Sequence, residues 1–112
     1  AEICGVTQET DNLGEVAYGG DLNGDSYADV IVASSLVNVG STADAGAAYV
    51  FFGPVSGSYF TTDADASLSG STASGYMGLG GTIMDYDGDG ADDLIIGAYG
   101  DAAAYVWRGG GL

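Results

Sequence analysis

The sequence predicts an all-β fold built from a repeated four-stranded antiparallel sheet, and two observations lead to this prediction. First, the chain repeats itself: residues 20–32 recur in similar form 64 positions later, residues 46–53 recur at 102–109, and residues 1–5 recur at 66–70. Second, the apolar runs Val30–Ala33 and Leu94–Ile96 are continuous and flanked by Gly and Asp. Such short runs are typical of strands covered on both faces.

Each full repeat has room for four strands, which we expect near residues 14–20, 28–33, 46–52 and 66–69 of the first copy. Sheets stacked face to face, one per repeat, are the arrangement of a β-propeller, in which each sheet is a blade. The prediction is a single unit of residues 1–112 with two four-stranded blades. Residues 1–12 form an outer strand and connector, 13–70 form blade one, and 71–112 form blade two. Blade two lacks its own outer strand, and the copy of that strand at Ala1–Gly5 is expected to complete it.

The charge of the chain favours a cation as ligand. One Arg and no Lys or His stand against 16 acidic residues, which gives a formal net charge of −15. Such a chain repels phosphate backbones and anionic membranes, so we expect neither nucleic acid nor membrane as a partner. More than half of the aspartates lie in two nine-residue windows that begin at Asp21 and Asp85. Clustered carboxylates repel one another unless cations bind them.

The two windows predict metal-binding loops. Counted from the first Asp of each loop, oxygen-bearing side chains fall at positions one, three, five and nine, and position seven offers its backbone carbonyl. The predicted ligands are Asp21, Asn23, Asp25, Tyr27 and Asp29 in the first loop, and Asp85, Asp87, Asp89, Ala91 and Asp93 in the second. Several hard, charged oxygens suit Ca²⁺, so we expect two ions per chain. The second loop should bind more tightly, because it has four carboxylates against three in the first.

An EF-hand loop begins in the same way and is the main alternative. It closes with a bidentate Glu at position twelve and lies between helices. Position twelve here is Val32 or Ile96, inside an apolar β-branched run, so these loops should connect strands. A single Asp-rich cluster is also found in ordinary turns. Two copies at one period, each followed by a strand, favour calcium sites.

These loops and their flanks resemble the FG-GAP repeat of integrin α-subunit propellers, and bacterial secreted relatives look especially similar. The segments that carry the resemblance are Leu13-Gly14, Gly20–Asp25, Tyr49–Gly53, Met77-Gly78 and Gly97-Ala98. Residues 33–35 and 97–99 depart from the Gly-Ala-Pro that gives the repeat part of its name. The resemblance implies a calcium-stabilised propeller used in adhesion or ligand recognition. It also implies a secreted, extracellular or cell-surface location, which fits the use of calcium.

Two blades are too few to close a ring, since propellers typically have about four to eight. Head-to-tail contacts close when the rotation divides a circle, so we expect a cyclic homo-oligomer of this chain. Three chains would give six blades and four would give eight. A protein or carbohydrate ligand is a further expected partner. The alternative is an excised or designed propeller fragment with no evolved ligand.

Catalysis is not expected. With no His or Lys and with Cys4 as the one cysteine, the chain cannot build a Ser-His-Asp triad, a Lys Schiff base or a His/Cys zinc site. A hydrolase that uses two carboxylates is the less favoured alternative, because nothing in the spacing of the remaining acids selects a pair. Those acids are Asp44, Asp63, Asp65 and Asp101. Cys4 is expected to be a small buried strand residue.

Aromatic side chains are the other candidates for ligand contact. Three of them, Tyr49, Tyr105 and Trp107, lie in repeat-matched strands, so we expect them in the core. Tyr59, Tyr76 and Tyr99 lie in expected loops and are the better candidates for stacking on a carbohydrate, and Tyr18 completes the aromatic set.

Overall fold

The computed structural model describes residues 2–4, 13, 16–98, 100 and 102–110, without the side chains of Val16 and Tyr18. In this part of the chain, the nine strands are β1 Glu2–Cys4, β2 Val16–Gly20, β3 Asp29–Ser34, β4 Ala47–Phe51, β5 Ser58–Phe60, β6 Ala66–Ser69, β7 Met77–Met84, β8 Asp93–Ala98 and β9 Ala103–Trp107. One short 3-10 turn, Thr61–Asp63, follows β5. The four strands predicted for the first repeat are confirmed to within two residues at each end. Ala1 and residues 5–12, which include most of the predicted connector, lie outside the described residues.

The first sheet has the strand order β2-β3-β4-β6 and is antiparallel throughout. Its register pairs Ile31 with Val50 and Val50 with Ala66, so these side chains share one face. The β-branched run of β3 is buried on both faces, apart from half-buried Val30. This confirms the prediction of a strand covered on both sides.

The second sheet has the order β7-β8-β9 and is also antiparallel. A bulge between Met77 and Gly80 shifts the register of β7 against β8. Leu94 and Ile96 of β8 are fully buried, whereas Ile95, on the opposite face, is half-buried. The outward face of this sheet is therefore the less covered one.

The two sheets pack face to face through β7, which contacts β2, β3 and β4. Gly46 lies directly against Met77 with a φ of +83°, and a Cβ there would lie 2.1 Å from the Met77 carbonyl oxygen, so only glycine fits. The apolar side chains buried between the sheets are Leu22, Ile31, Ala33, Ala48, Val50, Leu68, Met77, Leu94, Ile96 and Ala98. Stacked antiparallel sheets of this kind are compatible with the blades of a propeller.

The first strand does not lie where the sequence predicted. We expected Ala1–Gly5 to complete the second blade, but β1 pairs in parallel with β5, and Glu2 N–H donates to Gly57 O at 2.8 Å. For the single chain the prediction of two four-stranded blades is therefore wrong: the second sheet has three strands in the described residues. The reason is that Ser58–Phe60 has no copy in the second repeat, so the pattern did not reveal this strand edge. Cys4 is half-buried there rather than buried.

Candidate metal centres

The first loop connects β2 to β3 and is organised by its first aspartate. Asp21 Oδ1 accepts the N–H groups of Gly24 at 2.8 Å and Asp25 at 3.1 Å, and its Oδ2 accepts the N–H of Ser26 at 2.8 Å. Gly24 and Ser26 adopt φ values of +75° and +73°, which turn the backbone around the carboxylate. The loop thus wraps its amide groups around one acidic side chain.

The second loop connects β7 to β8 and repeats the same arrangement. Asp85 Oδ1 accepts the N–H groups of Gly88 at 2.9 Å and Asp89 at 3.1 Å, and its Oδ2 accepts the N–H of Gly90 at 3.0 Å. Gly88 and Gly90 have φ values of +75° and +93°. Since the corresponding distances agree to within about 0.2 Å, the repeated sequence specifies one local structure.

Asp29, at position nine of the first loop, is the first residue of β3 and is fully buried. Its Oδ2 accepts the N–H of Leu22 at 2.6 Å, and its Oδ1 accepts the N–H of Gly53 at 2.7 Å. A buried carboxylate requires such partners. Asp29 therefore ties the loop to the chain that leaves β4, in addition to its predicted role as a ligand.

Asp93 has the same role in the second loop and is also fully buried. Its Oδ1 accepts the N–H of Gly109 at 2.7 Å, and its Oδ2 accepts the N–H of Tyr86 at 3.0 Å. The hydrogen bond from Gly109, with smaller contributions from other backbone N–H groups and from Arg108, holds the pKa of Asp93 below its ordinary value against the opposing effect of burial. Asp93 is therefore held in its ionised form near neutral pH.

Each loop brings three carboxylates together, with one oxygen of each within 4.8 Å of the others. The groups are Asp21, Asp25 and Asp29 in the first loop, and Asp85, Asp87 and Asp89 in the second. Six of the predicted ligands thus converge in two clusters, while Asp93 lies outside the second cluster and serves as the anchor described above. A set of ionised oxygen donors on a tight loop fits a hard divalent cation such as Ca²⁺.

The remaining predicted ligands lie in the same loops. Asn23 Oδ1 is 3.4 Å from the N–H of Asp25, and both residues are exposed. At position seven, Tyr27 N–H donates to Asp25 Oδ1 at 2.9 Å, and Ala91 N–H donates to Asp89 Oδ1 at 3.0 Å. These bonds fix the side chains at position five in both loops.

A contact between the loops was missed in the sequence. Asp21 N–H donates to Asp92 Oδ2 at 2.8 Å, and Asp92 N–H donates to the Asp21 carbonyl oxygen at 2.8 Å. A third bond runs from Gly110 N–H to the carbonyl oxygen of buried Leu22 at 2.7 Å. The first repeat has Ala28 at the position of Asp92, so the second loop supplies a side-chain acceptor to the first loop and receives none from Ala28 in return.

Arg108 was also missed. It follows β9 and is the single basic residue of the sequence. Its Nε donates to Asp87 Oδ2 at 2.9 Å, and a terminal nitrogen lies 4.0 Å from Asp89 Oδ2. The bond to Asp87 raises the pKa of Arg108 further above its ordinary value. The composition could have indicated this contact. In a chain with one Arg and 16 acidic residues, carboxylates are expected close to the Arg.

Two of the acids considered for a hydrolytic pair accept backbone N–H groups. Asp63 Oδ2 accepts the N–H of Phe60 at 2.8 Å, and Asp65 Oδ2 accepts the N–H of Phe52 at 2.7 Å. Asp44 has a φ of +52° in the loop before β4. Asp101 lies outside the described residues.

The aromatic candidates divide differently from the prediction. Tyr49 is half-buried and Tyr59 packs on Phe51 with ring centroids 5.5 Å apart. Tyr105 and Trp107 line a cleft of about 80 Å³ between the sheets, together with Ser69, Thr72 and Met77. Tyr105 is 37% exposed, so its assignment to the core was wrong, whereas Trp107 packs partly against the core. Tyr76 is half-buried and Tyr99 lies outside the described residues. No carboxylate is found among the described residues that line this cleft.

Comparison with known proteins adds one family. Residues 5–51 match the family model of the FG-GAP repeat, a stretch that spans the first metal loop and β2 to β4. No curated protein matches the sequence. Among the described residues, no helix has the length and apolar character needed to cross a bilayer.

Proposed function

Residues 5–51 are an FG-GAP repeat, and from this premise we propose that the chain is a calcium-binding β-propeller module in which each loop holds one structural Ca²⁺. The observation that carries the proposal is the duplicated loop. Two segments 64 residues apart share the same hydrogen bonds and the same turn, and each gathers three carboxylates within 4.8 Å.

Electrostatics supports a structural role for the ion. Carboxylates a few Å apart repel one another, and the chain has one basic residue to offset 16 acids. Two Ca²⁺ ions would change the formal charge from −15 to −11. Each ion would also hold together a loop that connects two strands of one sheet. Calcium is favoured over zinc because the donors are oxygens, with no His and one Cys in the sequence.

Thermal unfolding tests this proposal. We expect the melting temperature of the chain to fall when EDTA removes Ca²⁺ and to recover when excess Ca²⁺ is added. Asp21→Ala and Asp85→Ala should each reduce the calcium-dependent part of the shift. Asp44→Asn is the matched control, because it removes one negative charge outside both loops, and it should retain the whole shift. An identical melting temperature with Ca²⁺ and with EDTA would contradict a structural calcium role.

Self-assembly is a second proposal. In the described residues β9 pairs with β8 alone, and the outward side of the second sheet exposes Met84 by 50% and Val106 by 49%. An open strand edge next to exposed apolar side chains favours association with another sheet. We expect a cyclic homo-oligomer of three or four chains, measured as mass in solution with Ca²⁺. A stable monomer at micromolar concentration would contradict it and would favour an excised or designed fragment.

An adhesive or ligand-binding role outside the cell is the third part of the proposal. FG-GAP repeats are typical of extracellular proteins and belong to a non-enzymatic repeat family. The test is binding of the immobilised chain to extracellular-matrix proteins and to a glycan panel, in Ca²⁺ and in EDTA. Binding that is lost in EDTA supports the role, and no binding to either class contradicts it.

A further inference from the structure

The single basic side chain of the protein lies on one of the two metal loops. Arg108 donates from Nε to Asp87 at 2.9 Å and approaches Asp89 to 4.0 Å. Both partners belong to the carboxylate cluster of the second loop. The position of Arg108 is set by the sheet: β9 runs antiparallel to β8 with Trp107 opposite Leu94, so the next residue lies beside the start of β8, where the loop ends.

The first loop has no such cation. The residue that matches Arg108 in the first repeat is Phe52, which directly follows β4. Each cluster has three carboxylates, because Asp93, the fourth predicted carboxylate ligand of the second loop, lies outside its cluster. With Arg108 included, the charge of the second cluster is minus two, against minus three for the first. The single basic residue of the sequence therefore offsets negative charge at the second cluster and not at the first.

We propose that Arg108 is a tethered counter-ion that lowers the affinity of the second loop for Ca²⁺. This inference rests on the calcium sites proposed above. It acts against the ranking predicted from the number of carboxylates, in which the second site is the tighter one. The physical reason is that a fixed positive charge next to two ligand carboxylates repels an incoming divalent cation and competes for their oxygens.

The size of the effect follows from charge and exposure. The Arg108 side chain is 69% exposed, so its repulsion of Ca²⁺ acts through a water-like medium and is screened by salt. A unit positive charge a few Å from a bound divalent ion lowers the affinity of the site for that ion by about three- to tenfold near 0.1 M salt. The effect should shrink towards zero in about 1 M salt, where the Debye length is about 3 Å.

The test compares Arg108→Gln with the parent chain by calorimetric titration with Ca²⁺. Both are measured in an Asp25→Ala background, which removes a ligand of the first site so that the second site is observed alone. We expect Arg108→Gln to bind Ca²⁺ about three- to tenfold more tightly at low salt, with a smaller gain at high salt. Arg108→Lys is the charge-preserving control and should stay near the parent affinity.

A second readout does not depend on affinity. The chain has one Arg, so its Nε–Hε group gives one assignable signal in a ¹⁵N-correlated NMR spectrum. Ca²⁺ should shift this signal in the parent chain, because the ion competes for Asp87, and the shift should be absent in Asp85→Ala.

The outcomes separate the two proposals. Unchanged or weaker Ca²⁺ binding by Arg108→Gln would overturn the role of Arg108 and leave the calcium sites in place. An Arg108 signal that does not respond while Ca²⁺ binds the second site would do the same. If neither the parent chain nor Arg108→Gln binds Ca²⁺, the proposed function itself is wrong, and this inference is wrong with it.

Discussion

The fully buried carboxylate of Asp29 should stabilise the fold even without metal, and Asp29→Ala tests this directly. The substitution removes the acceptor for two backbone N–H groups, those of Leu22 at 2.6 Å and Gly53 at 2.7 Å. Each charge-assisted bond contributes about 1.5–3 kcal/mol, and a buried donor left unpaired costs about 1–3 kcal/mol. We therefore expect the free energy of unfolding to fall by about 3–6 kcal/mol in EDTA.

Such a loss is large compared with the stability of a typical domain, about 5–15 kcal/mol. The assay is urea unfolding in EDTA, followed by circular dichroism. Asp29→Asn serves as the milder variant if Asp29→Ala does not fold, since its amide oxygen keeps one acceptor. The free energy of unfolding of Asp29→Asn should lie between those of the wild-type chain and Asp29→Ala.

The matched control is Asp25→Ala, which also removes a predicted ligand of the first site. The Asp25 carboxylate is exposed and accepts one short N–H bond, from Tyr27 at 2.9 Å. Its removal should cost less than about 1 kcal/mol in EDTA, yet abolish the stabilisation that Ca²⁺ gives at that site. Equal losses for Asp25→Ala and Asp29→Ala in EDTA would refute the structural role assigned to Asp29.

Two other predictions concern pH and close packing. The hydrogen bond from Gly109 N–H holds the pKa of Asp93 below its ordinary value. The ionised Asp93 carboxylate therefore stabilises the fold fully above about pH 4, and this stabilisation is lost as the pH falls through the lowered pKa of the folded state. Acid unfolding of the metal-free chain between about pH 5 and pH 2 should therefore be less steep in Asp93→Asn, and identical profiles would contradict this. Gly70→Ala should lower the free energy of unfolding by about 2 kcal/mol or more, since its Cβ would lie 2.1 Å from the Ala45 carbonyl oxygen. Gly80→Ala is the control, because no atom lies within 4 Å of the new Cβ. In urea titrations its free energy of unfolding should be unchanged or slightly higher. Similar losses of stability in Gly70→Ala and Gly80→Ala would contradict this prediction.

The sequence was sufficient to predict the strands and loops that recur. A repeated segment in a repeated environment folds in the same way, and the hydrogen bonds made by Asp21 recur at Asp85. The apolar run of β3 likewise indicated a strand buried on both faces, which the structure confirms. The second copy of each segment was thus additional sequence evidence for the same local structure.

Features that occur once could not be predicted in this way. β5 lies in the connection from β4 to β6, for which the second repeat offers no counterpart, so no copy of Ser58–Phe60 exists to mark it as a strand. The anchoring role of Asp29 and the contact of Arg108 with Asp87 depend on which residue of one strand lies opposite which residue of the next. That register is a property of the assembled sheet, and spacing along the chain does not reveal it.

The central claim, that the two loops bind calcium, is tested most directly by the number of ions bound. Calorimetric titration of the metal-free chain with Ca²⁺ should give two ions per chain, and Asp21→Ala and Asp85→Ala should each give one. No binding at millimolar Ca²⁺, or a stoichiometry that neither substitution changes, would contradict the account.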